Sequence, residues 1–151
     1  MIKKYCDTSN LKEIKECITK YKINGITTNP SIMRKDGVKN YKAHCKKILK
    51  ISKNLPVSFE VFGDSIQEIK RQALIINSFG NNVFVKIPIT NTKGKFLTQI
   101  IKELSDKKIK INVTAVFTFD QVQKLKKVLN RNTKSIISIF AGRIADSGKD
   151  P

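Results

Sequence analysis

Short apolar runs alternate along this chain with longer stretches in which apolar residues recur every three or four positions. The runs are residues 2–6 (IKKYC), 26–31 (ITTNPS), 57–62 (VSFEVF), 83–90 (VFVKIPIT), 111–117 (INVTAVF) and 135–142 (SIISIFAG). Most are rich in β-branched or aromatic residues and end at turn-forming ones, the pattern of strands. Between them the period lengthens to that of a helix. Leu11, Ile14 and Ile18 form one such stripe, with an N-cap offered by Thr8 and Ser9 and an end at Gly25. Pro30 suits the first position of a helix or turn, and a lysine-rich helix follows with Tyr41, Cys45, Ile48, Leu49 and Ser52 on one side. Three more helices are predicted. The first runs from Asp64 or Ser65 with Ile66, Ile69, Ala73 and Ile76; the second follows Gly94 with Phe96, Leu97, Ile100, Ile101 and Leu104. The third starts at about Asp120 and carries Val122, Leu125, Val128 and Leu129.

Regular alternation of strand and helix argues for a parallel sheet with right-handed crossovers. An open doubly wound sheet and a closed (β/α)8 barrel share it. No GxGxxG or GxxxxGK[ST] motif opens a helix, so the nucleotide-binding form of the open sheet has no support. A complete barrel takes roughly 200 residues or more, and this chain has 151 with six legible strands. The expectation is one α/β domain over residues 1–151, covering about the first six βα units of a TIM barrel and truncated at its C-terminal side. Strands one and six would then be open edges.

The fourth run holds the most informative residue. Lys86 stands among Val83, Phe84, Val85 and Ile87, and Pro88 ends the run. A lysine buried on both faces of a strand is costly to keep charged, so it either gives up its proton more easily or pairs with a carboxylate. Such an amine is a nucleophile towards carbonyls. The plainer alternative is an edge strand whose lysine points to water. The other strands decide between the two. Asp7 follows strand one, Thr27 and Asn29 end strand two, and Glu60 lies in strand three. Asn112 and Thr114 lie in strand five and Ser138 in strand six, with Arg143 just beyond. Ser58, Glu60 and Phe62 share a parity, as do Phe84, Lys86 and Pro88, and Asn112, Thr114 and Val116. Polar groups near the ends of successive strands, aimed at one mouth, are how barrel enzymes build a site.

Composition removes the competing classes. The net charge of +18 would suit a nucleic-acid binder. The excess is nearly all lysine, spread over every helix, and aromatic residues do not interleave with it as stacking platforms. Solvated helix faces explain it better, and no nucleic-acid partner is expected. Apolar residues make up 40% of the chain, without a run long enough for a membrane span or a signal-peptide core. Cys6, Cys17 and Cys45 form no CxxC pair, and the single His44 reads as a surface residue. A cytoplasmic protein without metal or organic cofactor, and without a membrane partner, is the simplest account.

At this point the motifs resemble a known family. The aspartate after strand one, GITTNPSI (25–32), VSFEV (57–61), VFVKIPIT (83–90), INVTAVF (111–117) and SIFAGRIAD (138–146) are similar in order and spacing to transaldolases of the small bacterial type, class I aldolases with a (β/α)8 fold. The resemblance covers nearly the whole chain and implies a role for each matching residue. Lys86 would form a Schiff base with a ketose phosphate, such as sedoheptulose 7-phosphate or fructose 6-phosphate, in the pentose phosphate pathway. Asp7 would serve as acid/base on the sugar hydroxyl, and Glu60 would work through a water near Thr114. Asn29, Asn112 and Ser138 would hold substrate, Arg143 its phosphate, and Thr27 would neighbour the site. Fructose-6-phosphate aldolase, a relative within the family, carries glutamine and tyrosine where this chain has Glu60 and Phe140, which places the chain on the transaldolase side. An aldolase-like enzyme and a truncated, inactive barrel fragment are the alternatives. Ile139 departs from the proline often found there, and the family's later phosphate contacts have no counterpart in these residues. Sugar phosphates are the implied partners, and the full-length protein is expected to be a homo-oligomer.

Overall fold

The computed structural model describes residues 2–150. Six strands alternate with helices: β1 (Tyr5–Asp7), β2 (Gly25–Thr27), β3 (Val57–Glu60), β4 (Val83–Pro88), β5 (Ile111–Val116) and β6 (Ser135–Ile139). Their spatial order is β1-β2-β3-β4-β5-β6, and every pair is parallel. The sheet curls far enough for residues of β1 and β6 to line one cleft while remaining unpaired with each other. This is the arrangement of the first six βα units of a TIM barrel.

The helices are α1 (Leu11–Lys20), α2 (Pro30–Lys35), α3 (Tyr41–Ile51), α4 (Ile66–Asn77), α5 (Thr98–Asp106), α6 (Phe119–Val128) and α7 (Ala141–Asp146). They cover the outer face. Odd-numbered positions of the middle strands, including Val57, Phe59, Val85, Ile87, Ile111 and Val113, are buried in the same core as Ile14, Ile48, Ile69, Ile101 and Leu125 of the helices. Even-numbered positions of these strands as far as Thr114 face inwards, and in β1 and β2 Asp7 and Thr27 take that side, since Thr27 pairs with Ser58. The two-residue period of a strand thus divides packing from chemistry. Cys6, Cys17 and Cys45 are free thiols packed in or against the core. Among the described residues no helix is long and apolar enough to cross a membrane.

Several boundaries differ from the sequence pattern. β1 covers only the end of the predicted 2–6 run and continues through Asp7, because the chain enters the sheet where Lys4 and Asn24 exchange hydrogen bonds. Asn10, not Thr8 or Ser9, caps α1, its Oδ1 accepting from Lys12 N at 2.9 Å. Thr8 prolongs the ladder instead, donating its N–H to Thr27 O at 3.1 Å, and Ser9 is buried against Asp36. β2 stops at Thr27, and β6 stops at Ile139, where α7 begins two residues later. β3, β4 and β5 end one or two residues before the apolar runs do. Phe96 precedes α5 and bridges to Thr90. His44 is half-buried instead of lying on the surface, its Nε2 2.8 Å from Ser9 O, where it ties α3 to the loop after β1.

β5 contains a bulge. Val113 pairs with Ile137 and Val116 with Ile139, so Thr114 and Ala115 together stand opposite Ser138. Ala115 absorbs the extra residue at φ 56°, in the left-handed region. That conformation costs an L-residue roughly 1–2 kcal/mol, and glycine would return roughly 0.5–1 of it as lost chain entropy. Ala115→Gly is therefore expected to raise stability by about 0.5–1 kcal/mol, and Ala115→Val to lower it. Thermal unfolding of the two variants checks this, and a destabilised glycine variant would mean the bulge is unstrained.

Candidate active site

Inward-facing positions, even-numbered in the middle strands and odd-numbered in β1 and β2, converge on a cleft of about 380 Å³ towards the C-terminal ends of the strands. Asp7, Thr27, Lys86, Asn112, Thr114, Ser138 and Phe140 line it, together with Tyr5, Ile136 and Ile139. Register accounts for much of this convergence: Glu60 pairs with Lys86 and Lys86 with Asn112, setting three polar side chains at one level of the curled sheet. Tyr5 reaches the interior only because residue 25 is glycine. A Cβ there would stand 2.2 Å from the Tyr5 ring.

Lys86 is 7% exposed. Its Nζ lies 3.2 Å from Glu60 Oε2 and donates to the backbone carbonyl of Thr28 at 3.2 Å. The fold thus gives this buried lysine a carboxylate partner. Those contacts occupy two of three ammonium donors and leave the third for the cleft. Burial pushes the Glu60 carboxyl above its ordinary range, and the negative charge of Asp7 adds to the effect. The Lys86 ammonium pulls the other way, and burial prevails. Glu60 is accordingly easier to protonate than a free carboxylate and suits proton exchange with a neighbouring amine.

Asp7 lies across the cleft and accepts from Thr27 Oγ1 at 2.7 Å. On the β5 and β6 side, Ser138 Oγ donates to Asn112 Oδ1 at 2.8 Å, and Asn112 Nδ2 donates to Ser58 Oγ at 3.0 Å. This chain fixes which way the Asn112 amide points. The Thr114 hydroxyl is buried and has no hydrogen-bond partner among the described residues. Phe140 meets Phe117 edge-on, with ring centroids 5.5 Å apart, at the β6 rim.

Glu60 is itself absent from the cleft lining and joins this group through its ion pair with Lys86, whereas two expected residues stand apart from it. Asn29 Oδ1 accepts from Ile32 N at 2.9 Å as the N-cap of α2 and is absent from the cleft lining. Arg143 is exposed on α7 and likewise outside the lining. Ser58, Thr28 and Tyr5 are the contributors that residue chemistry alone passed over. The parity shared by Ser58 and Glu60 could have found the first. Thr28 acts through its backbone carbonyl, which side-chain identity does not reveal.

With the geometry described, similarity to known proteins can be added. A family model described as Transaldolase/Fructose-6-phosphate aldolase matches residues 4–151. A probable transaldolase of Thermoplasma volcanium is 36% identical over 151 residues, covering 99% of this chain and 64% of that protein. One from Dehalococcoides mccartyi is 33% identical over 146 residues, covering 97% and 64%. Another, from Streptococcus equi subsp. zooepidemicus, is 36% identical over 150 residues, covering 99% and 65%. The chain thus spans a little under two thirds of the length of these curated relatives.

Proposed function

The chain belongs to the transaldolase/fructose-6-phosphate aldolase family, and we propose that it carries the Schiff-base machinery of a transaldolase acting on ketose phosphates. The observation that supports this most is the Lys86 amine, nearly buried at the cleft and 3.2 Å from the Glu60 carboxyl. Neutral Lys86 adds to the C2 carbonyl of the ketose, giving a carbinolamine. Glu60, itself or through a water, passes a proton to the departing hydroxyl, and loss of water leaves the iminium. Asp7 then takes the C4 hydroxyl proton. The C3–C4 bond breaks, its electron pair moves into the iminium as an enamine, and the aldose phosphate leaves. Addition of the three-carbon enamine to an acceptor aldehyde reverses the sequence and completes the transfer.

Asn112, held by Ser58 and Ser138, would orient the hydroxyls next to the reacting carbon. Thr114 and Thr27 would complete the lining around the substrate, with Phe140 at its rim. Asn29 and Arg143 would act from outside the cleft, Arg143 through charge-assisted bonds to the phosphate. A fructose-6-phosphate aldolase-like reaction is the second reading. The carboxyl of Glu60 and the phenyl ring of Phe140, in place of an amide and a phenol, favour transfer.

Borohydride reduction in the presence of fructose 6-phosphate tests the proposal. A three-carbon adduct on Lys86 is the expected product, located by peptide mass spectrometry. Turnover should depend on an added acceptor such as glyceraldehyde 3-phosphate. An adduct on a different lysine would refute the assignment of Lys86, and turnover without acceptor would favour the aldolase reading.

A further inference from the structure

The β2–β3 ladder runs out at the residue that carries the Lys86 partner. Its rungs on one side are Ile26 N to Pro56 O at 2.8 Å and Thr28 N to Ser58 O at 3.1 Å. A parallel ladder advances two residues on each strand, so the next rung would join residue 30 to Glu60 O. Residue 30 is proline and has no N–H to give. The Glu60 carbonyl instead accepts from the hydroxyl of Tyr41, the first residue of α3, at 2.8 Å. The Tyr41 ring is set edge-on to Phe62, with centroids 4.5 Å apart, and to Phe59 at 6.5 Å. It therefore grips β3 on both sides of Glu60.

We propose that Tyr41 is a positioning residue for the Lys86–Glu60 pair, its hydroxyl replacing the backbone donor that Pro30 lacks. The proposal rests on the Schiff-base reading of the cleft. A strand end released from its last rung can fray, and Glu60 is the final residue of β3. Its carboxyl meets Lys86 from β4 and the charge of Asp7 from β1, while Tyr41 approaches from α3 on the main-chain side. Burial pushes the Tyr41 phenol upwards, with the neighbouring Cys45 thiol adding to the effect, so it remains a donor around neutral pH. Loss of that donor would let the Glu60 carboxyl relax towards water and away from the amine. Small displacements of this kind act steeply on rate, with about 1 Å costing on the order of a hundredfold.

Tyr41→Phe removes the hydroxyl and keeps the ring. Two readouts separate positioning from mere stability: the titration of Glu60, followed by carbon NMR on glutamate-labelled protein, and the pH profile of borohydride trapping on Lys86. In Tyr41→Phe the Glu60 midpoint should move down towards the ordinary carboxylate range. Trapping should slow by about tenfold, with its pH profile displaced in the same direction. In a Glu60→Gln background, Tyr41→Phe should have no further effect on trapping. The proposal is overturned by an unchanged Glu60 titration with only the melting temperature lowered, by an effect that persists beside Glu60→Gln, or by a Tyr41→Phe chain that does not fold. If the unaltered protein traps no adduct, the Schiff-base reading fails, and the titration still decides the role of Tyr41.

Discussion

Lys86→Arg is expected to eliminate the borohydride adduct and to lower transfer by about 10⁴-fold or more, the scale seen when a covalent nucleophile is removed. Arginine remains protonated at any pH the protein survives, so it cannot add to a carbonyl. The fold should tolerate the change better than most at this position. A guanidinium can still bond the Glu60 carboxylate and the Thr28 carbonyl, the two partners that hold the Lys86 ammonium at 3.2 Å each. Removing the charge outright, as in Lys86→Met, would leave Glu60 as a buried carboxyl without its partner and adds a stability cost to the chemical one. Mass spectrometry of the trapped protein, with a coupled assay of transfer, measures both effects. Retention of an adduct in Lys86→Arg would place the nucleophile elsewhere and remove the central premise of the mechanism.

The largest effect on stability should come from the opposite face of the neighbouring strand. Phe59 is fully buried between the sheet and the helices, edge-on to Tyr41 and Phe79 at 6.5 Å from each. Truncating such a residue removes its burial and leaves a cavity that the surroundings fill only in part. Phe59→Ala should therefore lose about 3–5 kcal/mol, a large share of the roughly 5–15 kcal/mol that a folded domain has available. Urea unfolding gives the number. A loss below about 1 kcal/mol would mean that the layer between β3 and its helices collapses freely, contrary to the dense packing of protein interiors. Phe59 lies between Ser58 and Glu60 in the chain, so the same substitution should also disturb the cleft.

Much of this protein was legible before any coordinates. Period-2 and period-3.6 patterns are local properties of the chain, and they located all six strands and the five helices with a full apolar stripe. The alternation of those elements selected a parallel sheet. Side-chain parity within each run placed Glu60, Lys86, Asn112 and Thr114 on one face, and a lysine inside a buried strand already called for either easier loss of its proton or a carboxylate partner. Two short helices, α2 and α7, carry too few turns to show a period, and only the start of α2 was signalled, by Pro30.

Tertiary structure decided what depends on residues distant in sequence. Which carboxylate meets Lys86 is a matter of register between β3 and β4, since Glu60 and Lys86 stand opposite one another only after both strands have paired. Curling of the sheet brings Asp7 and Ser138, at its two edges, to the same cleft. Asn29 is drawn into capping α2 because the backbone donors of a helix start compete for it, and Arg143 lies exposed on α7 outside the cleft lining. The bulge at Ala115 and the substitution of Tyr41 for the missing donor of Pro30 have the same origin. Each answers a backbone hydrogen-bond requirement that arises only when strands are laid side by side, and a one-dimensional pattern of polar and apolar residues contains no record of it.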